Sequence, residues 1–232
     1  MLLSASCDGL QKLVNICATY GDTWDIQFNP LKSHTITFGG PNPCQCQIAI
    51  EDRPIPWVSK VKYLGVYFCC NSGDTDLTDV CRKFYGHLNS ILSVVGRCAN
   101  EMAAVHLIKT YCLPILTYSC EVWTLSEKSL HTVSVVWNNC FRRIFRCYWR
   151  ESTRPLQYYC NALPMSYLID QRRLMFWQKT RCSNNVVLRT LSALKNNMFL
   201  GIGSKYGINS YDVTVKPFVW TAFERTLESM LL

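Results

Sequence analysis

The apolar residues change their period once along the chain, and that change limits the fold more than any other feature. Up to about residue 70 the repeats are short. Ile26-Gln27-Phe28 and His34-Thr35-Ile36-Thr37-Phe38 alternate on either side of Asn29-Pro30, which predicts two short strands around a turn. Strands are expected again at Gln47–Ile50 and Val61–Phe68, separated by Arg53-Pro54-Ile55-Pro56. One helix interrupts this pattern. Leu10, Leu13, Val14 and Cys17 predict it over about 8–23, with Ser6 or Asp8 as its cap. After Asn71-Ser72-Gly73-Asp74 the spacing becomes helical. Leu77, Val80, Cys81, Phe84, Leu88, Ile91, Leu92 and Val95 form one stripe over about 76–95. Further helices are expected over about 100–122, ended or kinked at Pro114, over about 127–147 after Ser126, and from a Ser166 cap to about Cys182. The rest predicts a helix near 186–196, a glycine loop (Gly201, Gly203, Gly207) and a final helix from about 217.

The expected fold class is therefore α+β. Short antiparallel strands and one helix occupy residues 1–73, a mainly helical region occupies 74–185, and a C-terminal extension occupies 186–232. Composition removes other classes. Of 232 residues, 49% are hydrophobic and only 17% charged, so the chain has ample apolar surface to bury and is not disordered. No apolar run reaches the roughly 18–20 residues of a membrane span; the best, Tyr111 to Trp123, is broken by Pro114 and Glu121. Met1-Leu2-Leu3-Ser4 lacks the basic region of a signal peptide. The 14 cysteines run from Cys7 to Cys182 without a C-x-x-C pair, and the four histidines are dispersed. These spacings predict reduced thiols in an intracellular chain, nuclear or cytoplasmic, and no metal site.

The charge is uneven. Residues 1–73 carry five basic and five acidic groups, residues 74–155 ten and seven, and residues 156–232 nine and four. Between Arg142 and Arg181 nine basic residues face two acids, Glu151 and Asp170, a net of +7. Arg142, Arg143, Arg146, Arg150, Arg172 and Arg173 lie in this window, interleaved with Tyr148, Trp149, Tyr158, Tyr159 and Trp177. Arginine forks suit phosphate, and aromatic rings suit bases, so the window is a candidate nucleic-acid surface. The alternative is a solvated helix face whose arginine stems cover the core.

Other motifs carry less. Gly201-Ile202-Gly203-Ser204-Lys205 lacks the spacing of a phosphate loop and is taken as a turn. Glu51-Asp52 fits a hairpin turn. Asp74, Asp76 and Asp79 fit the positive end of a helix better than a metal site. No cysteine and histidine are arranged as a nucleophile and base.

Three ordered segments carry a resemblance: Met1-Leu2-Leu3-Ser4 with Gly9-Leu10-Gln11-Lys12-Leu13, then Phe28-Asn29-Pro30-Leu31-Lys32-Ser33, then Val61-Lys62-Tyr63-Leu64-Gly65. Together they resemble the second half of the reverse transcriptase domain of non-LTR (LINE-type) retrotransposons. Lys109 to Tyr118, Glu121-Val122-Trp123, Phe141-Arg142-Arg143-Ile144-Phe145 and Asp170-Gln171-Arg172-Arg173-Leu174 are similar to that family's thumb. The resemblance implies the end of a palm followed by a thumb. It implies that Lys32 lies near the incoming nucleotide as a proton donor to pyrophosphate, where a cation would offset developing charge. It implies that backbone around Tyr63, Leu64 and Gly65 grips the primer.

The resemblance also exposes a gap. The family's polymerisation uses Mg2+ held by carboxylates, including adjacent aspartates placed just before the segment like Met1. The sequence contains no Asp-Asp. The expectation is a fragment of an RNA-directed DNA polymerase, inactive alone, without the fingers, and with residual binding to an RNA template or RNA–DNA duplex. The rival expectations are a non-enzymatic nucleic-acid or protein interaction module derived from a retroelement, and a pseudogene product without function.

Overall fold

The structure is a computed structural model; it describes all residues except 41–45, 71–74, 96–99, 195 and 232. It divides into two compact units, Met1–Asp76 and Leu77–Leu232.

In the first unit, helix α1 (Cys7–Trp24) starts where the Ser6 side chain accepts from the Gly9 N–H. It ends at Asp25 in the left-handed conformation. The next turn folds back: the Ile26 N–H reaches the Gly21 carbonyl at 2.8 Å, and a Cβ at Gly21 would collide with the Ile26 oxygen. This return replaces the strand expected at 26–28. Pro30–Lys32 is one 3-10 turn, capped by the Asn29 side chain. Of the strand expected at 34–38, one parallel bridge forms, Thr35 to Trp57.

Strands β1 (Ile48–Ile50) and β2 (Arg53–Ile55) make an antiparallel hairpin, with Glu51 and Asp52 both at positive φ in its turn. Arg53-Pro54-Ile55 is thus a strand rather than a separator. Strands β3 (Lys60–Tyr63) and β4 (Val66–Cys69) make a second hairpin. The single strand expected over 61–68 is therefore two strands turning at Leu64-Gly65. The small core joins Val14 of α1 to Ile48, Ile50 and Ile55, with Cys7, Leu10, Cys46 and Trp57 against it. Gln11 closes the edge of β1, donating to the Ala49 carbonyl at 2.8 Å and accepting from its N–H at 2.9 Å.

Cys7 and Cys46 form a disulfide, which corrects the expectation that all thiols are reduced. Their 39-residue separation gives no local spacing signal; only the packing of α1 on β1 brings them together, with Cα atoms 6.3 Å apart. Cys44 and Cys98 lie outside the described residues.

The second unit is helical. Helix α2 (Thr78–Val95) buries Phe84 and Leu88 from the predicted stripe. Among its N-terminal acids, Asp79 pairs with Arg82 and Lys83, while Asp76, in the first unit, pairs with Lys60; Asp74 lies outside the described residues. The helix expected over 100–122 is shorter and composite: α3 (Glu101–Leu107), a π-helical segment Ile108–Cys112, then α4 (Leu113–Leu116) with Pro114 in its first turn. Residues 117–122 form a turn and bend, with Ser119 at positive φ, and 123–125 have no regular structure.

Helix α5 (Glu127–Phe145), capped by Ser126, buries Val133, Val136, Trp137, Cys140, Phe141 and Ile144. Trp137 meets Phe84 and Phe141 edge-on, and its indole N–H donates to the Leu163 carbonyl. Helix α6 (Arg154–Tyr159) follows, too short to be read from periodicity. Helix α7 (Met165–Arg181) starts after Pro164 with no side-chain cap, so Ser166 does not have the capping role expected of it.

Helices α8 (Val186–Leu194), α9 (Asn196–Gly203) and α10 (Val215–Leu231) complete the unit. Gly201 and Gly203 lie inside α9, and only Gly207 has positive φ, so the expected glycine loop reduces to one turn, Ser204–Gly207. The C-terminal segment is built into the second unit. Phe199, Ile208, Val215, Val219 and Phe223 pack with Leu163 and Leu174 in one core.

Candidate nucleic-acid interface

In the first unit, Lys32 ends the Pro30–Lys32 turn and is exposed. Tyr63, Leu64 and Gly65 occupy the tip of the β3–β4 hairpin. Tyr63 pairs with Val66, so the turn is two residues long; φ is 47° at Leu64 and 84° at Gly65. Both signs match the twist of the flanking strands. Glycine adopts this conformation without strain, whereas leucine is held there at a cost of about 1–2 kcal/mol. Leu64 is nevertheless 74% exposed, so the hairpin presents an apolar side chain at a position where asparagine or glycine would fold more cheaply. Lys60 and Lys62 lie 4.3 and 5.2 Å from the Tyr67 ring on the same hairpin.

In the second unit the six arginines separate by environment. Arg172 and Arg173 are partly buried on α7. Arg172 donates to Glu121 at 3.4 Å, and Arg173 donates to the Trp123 carbonyl. They tie α7 to the turn after α4. Arg142 is also partly buried: it donates to Asn139 at 3.1 Å and to the Glu151 carbonyl at 3.2 Å, and its buried Nε has no partner among the described residues. These guanidinium groups satisfy backbone and side-chain acceptors of the fold.

Arg143, Arg146 and Arg150 are exposed, at the end of α5 and in the turn beyond it. Arg146 is the left-handed C-cap of α5 (φ 55°). Arg143, in the last turn, complements the negative end of the helix dipole. Arg150 lies 4.7 Å from the Trp149 ring centre, and Trp149 lies 5.9 Å from Tyr148. Tyr148 and Trp149 are 58% and 63% exposed. The other aromatic residues of the window divide the same way: Tyr158 and Trp177 pack against the core, while Tyr159 is exposed. The arrangement can offset backbone phosphate charge and offer ring faces to bases.

No three His, Cys, Asp or Glu side chains converge as a metal site among the described residues. Among the described residues, then, no carboxylate cluster matches the Mg2+ site that the resemblance implies. Cys112, Cys120 and Cys140 are buried, and burial raises their thiols to about 11, 12 and 12, which keeps them protonated. Among the described residues no helix is long and apolar enough to cross a membrane.

Comparison with known proteins shows a distant similarity. Over 153 residues the chain is 24% identical to a probable RNA-directed DNA polymerase from transposon X-element of Drosophila melanogaster. The aligned part covers 62% of this chain and 16% of the relative's length. The chain is thus distantly similar to a transposon reverse transcriptase and spans a small part of it. No family model matches the chain. No solved structure matches it.

Proposed function

We propose that this chain is a template–primer binding part of a retroelement reverse transcriptase. In this reading Met1–Asp76 is the end of the palm and the helical unit from Leu77 is thumb-like. The second unit holds an RNA–DNA duplex by its backbone, through Arg143, Arg146 and Arg150, with Tyr148 and Trp149 beside them. Helices that contact backbone recognise duplex shape and charge rather than sequence. The observation that carries this reading is the exposed arginine–aromatic group at the end of α5, in a chain distantly similar to such a polymerase. In an intact enzyme Lys32 would stand near the incoming nucleotide, and the Tyr63-Leu64-Gly65 turn would grip the primer end.

The chain alone does not polymerise. The sequence lacks an Asp-Asp pair, and no carboxylate trio converges among the described residues. A primer-extension assay on the purified chain is expected to show no incorporation, and template-dependent incorporation would contradict this part of the reading. Binding is tested by fluorescence anisotropy on an RNA–DNA hybrid. Replacing Arg143, Arg146 and Arg150 together by alanine is expected to lower affinity by at least tenfold at moderate salt. Unchanged affinity in that variant would overturn the assignment.

A further inference from the structure

A second surface of the helical unit has the makings of a binding site. A groove of about 780 Å³ lies between α7, the Ser204–Tyr206 turn and α10. That is the size of a small-ligand pocket, which a duplex cannot enter. Its floor is fixed by Tyr167, whose hydroxyl shares a 2.9 Å hydrogen bond with Thr226, and by the packing of Phe223 and Val219 on α7.

Charge in the groove favours an anion. Lys205 and Arg225 line it, against one acid, Asp170. Asp170 is already engaged, accepting from the Tyr206 hydroxyl at 2.8 Å and from Lys205 at 3.4 Å. Burial and the neighbouring Asp170 carboxylate push the Tyr206 phenol far up, so it stays protonated and keeps donating. Arg225 is exposed and has no ion-pair partner among the described residues. Phe218 also lines the groove and is 41% exposed, an apolar ring left at the rim. A ligand that satisfies all of these carries negative charge and a flat face. Lys205 belongs to the glycine run of residues 201–205. That run forms the end of α9 and the turn after it, so it supplies a cation to this groove and not a phosphate-cradling loop.

We propose that this groove binds one nucleotide unit of a single-stranded nucleic acid, with the phosphate taken by Lys205 and Arg225 and the base by Phe218. That the phosphate belongs to a nucleic acid rests on the reading given above; the groove itself is a surface distinct from the end of α5.

The test uses the full chain and a fluorescent oligothymidylate, followed by anisotropy across a salt series. Lys205→Ala with Arg225→Ala removes two phosphate contacts, so the log–log salt slope becomes shallower by about 1.4. Phe218→Ala weakens binding by about tenfold through lost stacking. Both variants are expected to bind the RNA–DNA hybrid as the unaltered chain does and to melt at the same temperature, and Lys205→Arg is expected to retain single-strand binding. Single-strand binding unaffected by both variants, or absent in the unaltered chain, would overturn the proposal. So would displacement of the oligonucleotide by inorganic phosphate or phosphotyrosine as readily as by thymidine monophosphate. The two readings fail separately. Loss of single-strand binding in the groove variants, with hybrid binding indifferent to Arg143, Arg146 and Arg150, would leave the groove standing and remove the duplex surface.

Discussion

Arg172 and Arg173 adjoin in sequence and end on the same turn by different contacts, the Glu121 carboxylate for one and the Trp123 carbonyl for the other. Removing Arg173 leaves a partly buried carbonyl unpaired, so Arg173→Ala is expected to lower stability by about 1–3 kcal/mol in urea titration. Arg150→Ala, at an exposed position, is expected to change it by less than about 0.5 kcal/mol. Reversal of that order would show that the guanidinium contacts on α7 are not structural. The buried thiols make a pH prediction. An unfolded thiol ionises near its ordinary value of 9.0, whereas folded Cys120 and Cys140 stay protonated to about 12. A group whose folded pKa is raised contributes stability below the unfolded value and loses it above, so stability falls as pH rises from 9 towards 12. Alkylation of the native chain is expected to modify exposed Cys182 first and to reach Cys112, Cys120 and Cys140 only on unfolding. At this scale the sequence shows that arginines and aromatics are interleaved. It does not show which are tied, because the acceptors at Glu121, Trp123 and Glu151 are set by tertiary packing.

Turn chemistry decides more at the element scale than periodicity does. The apolar run Tyr63-Leu64-Gly65-Val66 looks like one strand, yet two residues at positive φ make it a hairpin. Leu64→Asn is expected to raise the melting temperature of the first unit by relieving the left-handed leucine, and Gly65→Val to lower it. The same reasoning explains the missing strand at 26–28, where Gly21 admits the returning backbone. Long amphipathic helices such as α2 and α5 were legible because a 3.6-residue stripe repeats over several turns. The π-helical segment before Pro114 and the short α6 carry no such repeat. The disulfide also belongs here. Closing a loop with a 39-residue separation contributes about 4 kcal/mol in the chain-entropy treatment, so Cys7→Ser or a reductant is expected to lower the melting transition of Met1–Asp76 while leaving that of Leu77–Leu232 in place.

Over the whole molecule, the change of period after residue 70 coincides with the division into Met1–Asp76 and Leu77–Leu232. The bulk of the positive charge lies in the second unit, as does the exposed group at the end of α5. The folding of residues 196–227 onto α7 could not be read in advance, since Phe199, Ile208, Val219 and Phe223 meet Leu163 and Leu174, which lie far from them in sequence. The central claim is that the second unit binds duplex backbone through a few exposed arginines. The salt dependence of RNA–DNA hybrid affinity tests it most directly. Three arginine–phosphate contacts predict a log–log slope of about −3, falling close to zero when Arg143, Arg146 and Arg150 are all alanine. A slope near zero for the unaltered chain, or one that the triple variant leaves unchanged, would contradict the account.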